Sequence, residues 1–111
     1  MDLNPETNAP MTIDDVEEWN NRMHINRMVY VEAGGVLIVS GDVVMHEKAK
    51  ILVSNGGKLL ISSGIIENAD IDVSSGGCVE LEKGGTIKLG SRDTFASETG
   101  AVVLLEEGSI E

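Results

Sequence analysis

The chain is poor in several things that common functions require. It has one cysteine, so neither an internal disulfide framework nor a multi-cysteine zinc site can form. It has one Trp, one Tyr and one Phe, so a core must come from Val, Ile and Leu. It has two prolines, Pro5 and Pro10, both before Met11. Lys and Arg total 8 against 19 Asp and Glu, a formal charge of -11, which removes the basic footprint of a nucleic-acid binder. No apolar run approaches the ~18–20 residues of a membrane-spanning helix, so no membrane insertion is expected. The first 20 residues hold six acids and no Lys or Arg, which is not the pattern of a signal peptide.

What is present fits one domain. The chain has 111 residues, long enough for one core and too short for two. Hydrophobic residues make up 41%, which argues against disorder despite the charge. Residues 1–11 are polar and read as a flexible leader, 12–27 as an N-terminal cap, and 28–111 as a repeat domain.

The repeat starts at Val29, Ile51, Ile71 and Phe95. Two residues on stand Val31, Val53, Val73 and Ser97, and five on stand Gly34, Gly56, Gly76 and Gly100. Eight on come Leu37, Leu59, Val79 and Val103, and ten on come Val39, Ile61, Leu81 and Leu105. Thirteen on come Asp42, Gly64, Gly84 and Gly108, with Gly41 one place early. Short apolar-polar alternation means strands with one buried face, and the Gly-Gly pairs between them suit tight corners. One copy cannot bury its own apolar face. Copies stacked as parallel rungs ~4.8 Å apart can. The fold class is therefore all-β, a short parallel β-helix of about four rungs, right-handed by the usual crossover rule. An antiparallel sandwich is the alternative, but it does not need matching residues every ~22 positions. The fourth copy is irregular, with Ser97 at an inward position and an insert from Gly90 to Thr94. Phe95 is expected to cover the third rung's core.

Thr12 to Met23 carries helical spacing in Ile13, Val16, Trp19 and Met23, and Thr12 with Asp15 resembles a capping box. This predicts a short helix laying Ile13, Val16 and Trp19 over the first rung. Two alternatives stand beside it: Trp19 as a ligand platform, and Trp19 beginning a preliminary strand, with Met23 to Ile25 as a partial rung.

The stretch Ala49 to Ala69, with Ile51-Leu52-Val53, Gly56-Gly57-Lys58-Leu59, Ile61 and Gly64, resembles the right-handed β-helix repeats of large secreted bacterial surface proteins, whose backbone plan is pectin-lyase-like. The run from Trp19 through Val31 and Gly34-Gly35 to Leu37 is similar to the first rung of such modules. Ile87 to Ile110 is similar to their closing segments. The resemblance implies a secreted or cell-surface stalk, adhesin or spacer module; the lack of a signal-peptide pattern leaves this acidic chain either part of a longer precursor or, if complete, cytoplasmic. Glu111 falls inside the repeat pattern, which favours the longer precursor. Bactofilins, small cytoplasmic β-helix proteins that polymerise end to end, are similar in length, but their rungs are more even and have fewer Gly-Gly corners.

Chemistry is sparse, and no catalytic residue and no enzyme activity are expected. Asp70 with Asp72, and Glu80 with Glu82, are paired carboxylates of the type that serve in carbohydrate-processing β-helices or hold calcium. Strand alternation places them on a solvated outer face. The run Gly76-Gly77-Cys78-Val79-Glu80 lacks the calcium-binding nonapeptide pattern. His24 and His46 lie 22 residues apart, one repeat length, and can sit on adjacent rungs. With no third ligand at fixed spacing they read as surface histidines, so no metal and no cofactor are expected. Cys78 has no histidine near it in sequence or repeat phase and reads as an inert thiol. Tyr30, Ile38, Leu52 and Leu60 fall at outward positions of the first two rungs and form the candidate interface, to a second copy or a neighbouring domain. A glycan or other surface ligand is the remaining partner class.

Overall fold

The computed structural model describes residues 9–89 and 95–111, all of them strand, turn or irregular backbone. The leader before Ala9 and the insert Gly90 to Thr94 lie outside the described residues. Among the described residues, fifteen strands coil into tiers of three. The first tier is β1 (Met11–Ile13), β2 (Val16–Trp19) and β3 (Met23–Ile25). The second is β4 (Met28–Val31), β5 (Val36–Val39) and β6 (Asp42–Met45). The third is β7 (Lys50–Val53), β8 (Lys58–Ser62) and β9 (Ile65–Glu67). The fourth is β10 (Ile71–Val73), β11 (Cys78–Glu82) and β12 (Thr86–Ile87). The fifth is β13 (Phe95–Ser97), β14 (Val102–Glu106) and β15 (Ser109–Ile110).

Corresponding strands pair in parallel, giving three five-stranded sheets: β1-β4-β7-β10-β13, β2-β5-β8-β11-β14 and β3-β6-β9-β12-β15. This is a parallel β-solenoid, and its register is the one the repeat implies. Val29 pairs with Ile51, Ile51 with Ile71, and Ile71 with Phe95. Leu37 pairs with Leu59, Leu59 with Val79, and Val79 with Val103. The inward residues form one aliphatic core, with Val29, Leu37, Ile51, Leu59, Ile61, Ile71 and Leu81 fully buried and, among the described residues, no polar or charged residue buried with them. Phe95 packs on this core from the fifth tier, as expected.

Two glycine columns shape the corners between the first and second sheets. Gly34, Gly56, Gly76 and Gly100 have φ of 84°, 85°, 84° and 95°, a left-handed conformation that a Cβ disfavours. Gly34 donates its N–H to the Gly56 carbonyl, Gly56 to Gly76, and Gly76 to Gly100, at 3.0–3.1 Å, so the corner itself is laddered. Gly57, the next residue along, is required for a different reason. A Cβ there would stand 2.4 Å from the Val31 carbonyl oxygen, so the corner closes only on a bare Cα.

The helical cap is not what residues 12–27 form. Met11–Ile13, Val16–Trp19 and Met23–Ile25 are strands, and they make a first tier of the same solenoid. The alternative of a preliminary strand comes nearer: Met23–Ile25 is a strand, but Trp19 ends β2 rather than beginning a strand, and the tier has all three strands rather than part of a rung. Strand alternation explains the side chains. Trp19 lies over Val39 and Ile13 over Val31, and both are buried, at 3% and 4% exposure. Val16 pairs with Val36 on the outer face and is 63% exposed, so it covers nothing. The inward position over Leu37 belongs to Glu17, which is exposed on this end tier.

The glycines at the corner between the second and third sheets also differ by one place from the sequence alignment. Ile65 donates to the Gly41 carbonyl, Thr86 to Gly64 and Ser109 to Gly85, so the column is Gly41, Gly64, Gly85 and Gly108. Extra residues enter this corner in left-handed conformation: Ser63 (φ 66°), Lys83 (φ 55°) with Gly84 (φ 85°), and Glu107 (φ 66°). These insertions contribute to the uneven repeat spacing.

Candidate functional site

Each sheet presents one outward face; Asp72, Glu80, Glu82 and His24 stand on these faces, with Asp70 and His46 beside strand ends. On the first sheet, Asp72 pairs with Leu52. The Lys50 ammonium lies 3.0 Å from Asp72 and 3.9 Å from Asp70. On the second sheet, Lys58 lies 2.9 Å from Glu80. The two carboxylate pairs therefore face outward from different sheets, and three of the four carboxylates pair with a lysine one tier below. The hydrogen bond to Asp72 holds the Lys50 pKa above its ordinary value, and the bond to Glu80 does the same for Lys58.

Glu80 also meets Glu106 from the fifth tier. Its hydrogen bond to Lys58, and then the one to Glu106, hold the Glu80 carboxyl below its ordinary range. The bond to Glu80 holds Glu106 above it. Two carboxyls sharing a hydrogen bond need one proton between them, and the lysine decides which one keeps it. The contribution of Glu80 to stability is present above its ordinary pKa and fades as pH falls through the lowered value. That of Glu106 is present below its ordinary pKa and fades as pH rises through the raised one. A carbon-detected NMR titration should therefore place the Glu106 midpoint above that of an unpaired glutamate. Glu80→Gln should bring it down; an unmoved midpoint would show that the pair is not formed.

Cys78 is half-buried at the start of β11, with Lys58 and Val102 as its register partners. Both histidines belong to the third sheet or its edge, so no imidazole stands opposite the thiol. Among the described residues no group of three or more His, Cys, Asp or Glu is placed to hold a metal ion.

The four candidate interface residues divide between two faces. Tyr30 pairs with Leu52 on the first sheet, and Ile38 with Leu60 on the second, all four half-buried. The Gly34-Gly35 corner separates them, so they flank an edge of the solenoid rather than forming one flat patch. On the second sheet Val36 adjoins this pair, whereas Val102 and Leu104, 45% and 43% exposed, are separated from it by Cys78 and the Lys58–Glu80 ion pair.

Sequence reasoning gave little weight to one contact. His24 and His46 touch, with Nδ1 of His24 2.8 Å from Nε2 of His46. Their 22-residue separation was the available signal. It took the first tier to be a true rung for the contact to follow. The second such feature is the Arg22–Asp42 ion pair at 2.6 Å, on the same face two residues before His24. No family model, curated protein or solved structure matches this chain.

Proposed function

We propose that the chain is a non-enzymatic structural module, a rigid spacer or adhesion-type β-helix of a secreted or surface protein. One observation carries this reading. The carboxylates with most chemical promise are used to join tiers: Lys50 with Asp70 and Asp72, and Lys58 with Glu80. An acid–base pair needs two carboxyls flanking one bond of a substrate, whereas Asp72 and Glu80 face outward from different sheets, and Glu80 and Glu106 are hydrogen-bonded to each other with no room for a substrate bond between them.

The half-buried Tyr30, Ile38, Leu52 and Leu60 support contact with a second copy or a neighbouring domain. One sheet face spans about 19 Å by 16 Å, roughly 300 Å². A standard interface buries ~800 Å² per partner. A contact through one face alone would be weak, and a stable one must wrap the corner between the two pairs.

The second reading is a bactofilin-like filament, favoured by the fifth tier, where Leu105 is 53% exposed at an inward position. Opposing it, both ends are acidic, with Asp14, Asp15, Glu17 and Glu18 at one and Glu98, Glu106, Glu107 and Glu111 at the other. Like charges brought together resist stacking.

Sedimentation velocity with negative-stain electron microscopy at micromolar protein separates these readings. The structural-module reading predicts a discrete monomer or dimer, with Leu52→Lys plus Leu60→Lys converting any dimer to monomer. Filaments would favour the polymer. Release of reducing ends from a polysaccharide panel would overturn the non-enzymatic reading.

A further inference from the structure

The two histidines meet on the outer face of the third sheet and bridge the first two tiers. His24 lies in β3 opposite Val44, and His46 directly follows β6. Their ring centroids are 5.0 Å apart and the rings are tilted by 36°. His46 is exposed and His24 half-buried, so the pair opens to solvent. A ring-to-ring hydrogen bond needs one imidazole as acceptor, so at least one ring is neutral with its lone pair aimed at the other.

We propose that His24 and His46 form a bidentate site for a divalent transition-metal ion, with Cu(II) preferred over Ni(II) and Zn(II). Two imidazole nitrogens from adjacent tiers face each other at hydrogen-bond distance, 2.8 Å, so a modest ring rotation brings both within ~2.0–2.1 Å of one ion. The order of intrinsic affinities for imidazole sites then favours copper.

Binding requires both rings to swing toward a shared point beside the present hydrogen bond. The terminal torsion of histidine is broad, so this motion is inexpensive. The proton now in the bond moves through water to the other nitrogen of its own ring, leaving both facing nitrogens free to donate lone pairs with no net change in protonation. Water fills the remaining coordination positions. The charges around the pair are mixed: Arg22 is paired with Asp42, Glu67 lies one tier beyond Val44, and Glu47 and Lys48 follow His46, so the two imidazoles themselves carry the affinity. A bound ion would cross-link the first tier to the second.

The test is calorimetric titration of untagged protein with CuCl2, NiCl2 and ZnCl2 in a non-chelating buffer, beside His24→Gln and His46→Gln. Each variant should weaken copper binding at least tenfold. The wild-type electron paramagnetic resonance spectrum should show nitrogen splittings from two imidazoles. Substoichiometric copper should broaden the amides of residues 23–25 and 44–47 first, a readout independent of how either variant folds. Unchanged affinity in both variants, or broadening centred elsewhere, would overturn the site. Zinc binding more tightly than copper would overturn the metal preference.

Discussion

Replacing Trp19 by alanine is expected to destabilise the protein by about 3–5 kcal/mol, the range for truncating a buried aromatic. Trp19 is 3% exposed and belongs to the first described tier, over Val39. Its loss would uncover the end of the core and free the first tier to fray. Two readouts follow. The single tryptophan should emit at the blue end of its range in the folded protein and shift red on unfolding. In Trp19→Ala, amide exchange should accelerate in β1 to β3 before β7 to β11. A solvent-facing platform would behave otherwise, because exposed substitutions usually fall within ~0.5 kcal/mol.

A second large effect tests the stack along its axis. Val39, Ile61, Leu81 and Leu105 occupy one inward column. Ile61 is fully buried at its centre, whereas Leu105 is 53% exposed on the fifth tier. Ile61→Ala should cost about 2–5 kcal/mol. Leu105→Ala removes a similar side chain from the same column and should cost under ~1 kcal/mol, because little apolar area there leaves water. Chemical denaturation of the two variants measures both. Equal losses would contradict the column.

The solenoid was legible because its constraints repeat. An aliphatic must face the core at each tier, and a corner in left-handed conformation selects glycine, so Gly34, Gly56, Gly76 and Gly100 recur in phase. The first tier hid because it satisfies the same constraints with other residues. Its first corner is Asp14-Asp15, two residues where the next tier has four, Glu32 to Gly35. An exposed Glu17 fills one inward position. Met11 stands 18 residues before its partner Val29, where later starts are 20–24 apart. With glycine absent and alternation broken, the spacing of Ile13, Val16 and Trp19 mimicked a helix. Terminal repeats of a solenoid are commonly atypical, and this is the first described tier.

The slip in the Gly64 column has a similar origin. Ser63, Lys83 and Glu107 adopt left-handed backbone without being glycine, so residue type gave no sign of the added corner residues. The candidate sites were legible as positions rather than as contacts. Alternation put Asp72, Glu80, Tyr30, Ile38, Leu52 and Leu60 outward, where the structure has them. It did not reveal that the carboxylates pair with Lys50 and Lys58, or that a corner divides the apolar residues. Those depend on the number of residues in each corner.

The most direct test of the stacked parallel coil is a methyl NOESY spectrum of protein labelled at Ile, Leu and Val methyls. The parallel register predicts cross-peaks within Leu37, Leu59 and Val79, and within Val39, Ile61 and Leu81, residues 20–22 positions apart in sequence. An antiparallel sandwich would instead pair strands that are neighbours in sequence, such as β4 with β5, and leave these columns without mutual cross-peaks. That pattern would contradict the solenoid and the structural role argued from it.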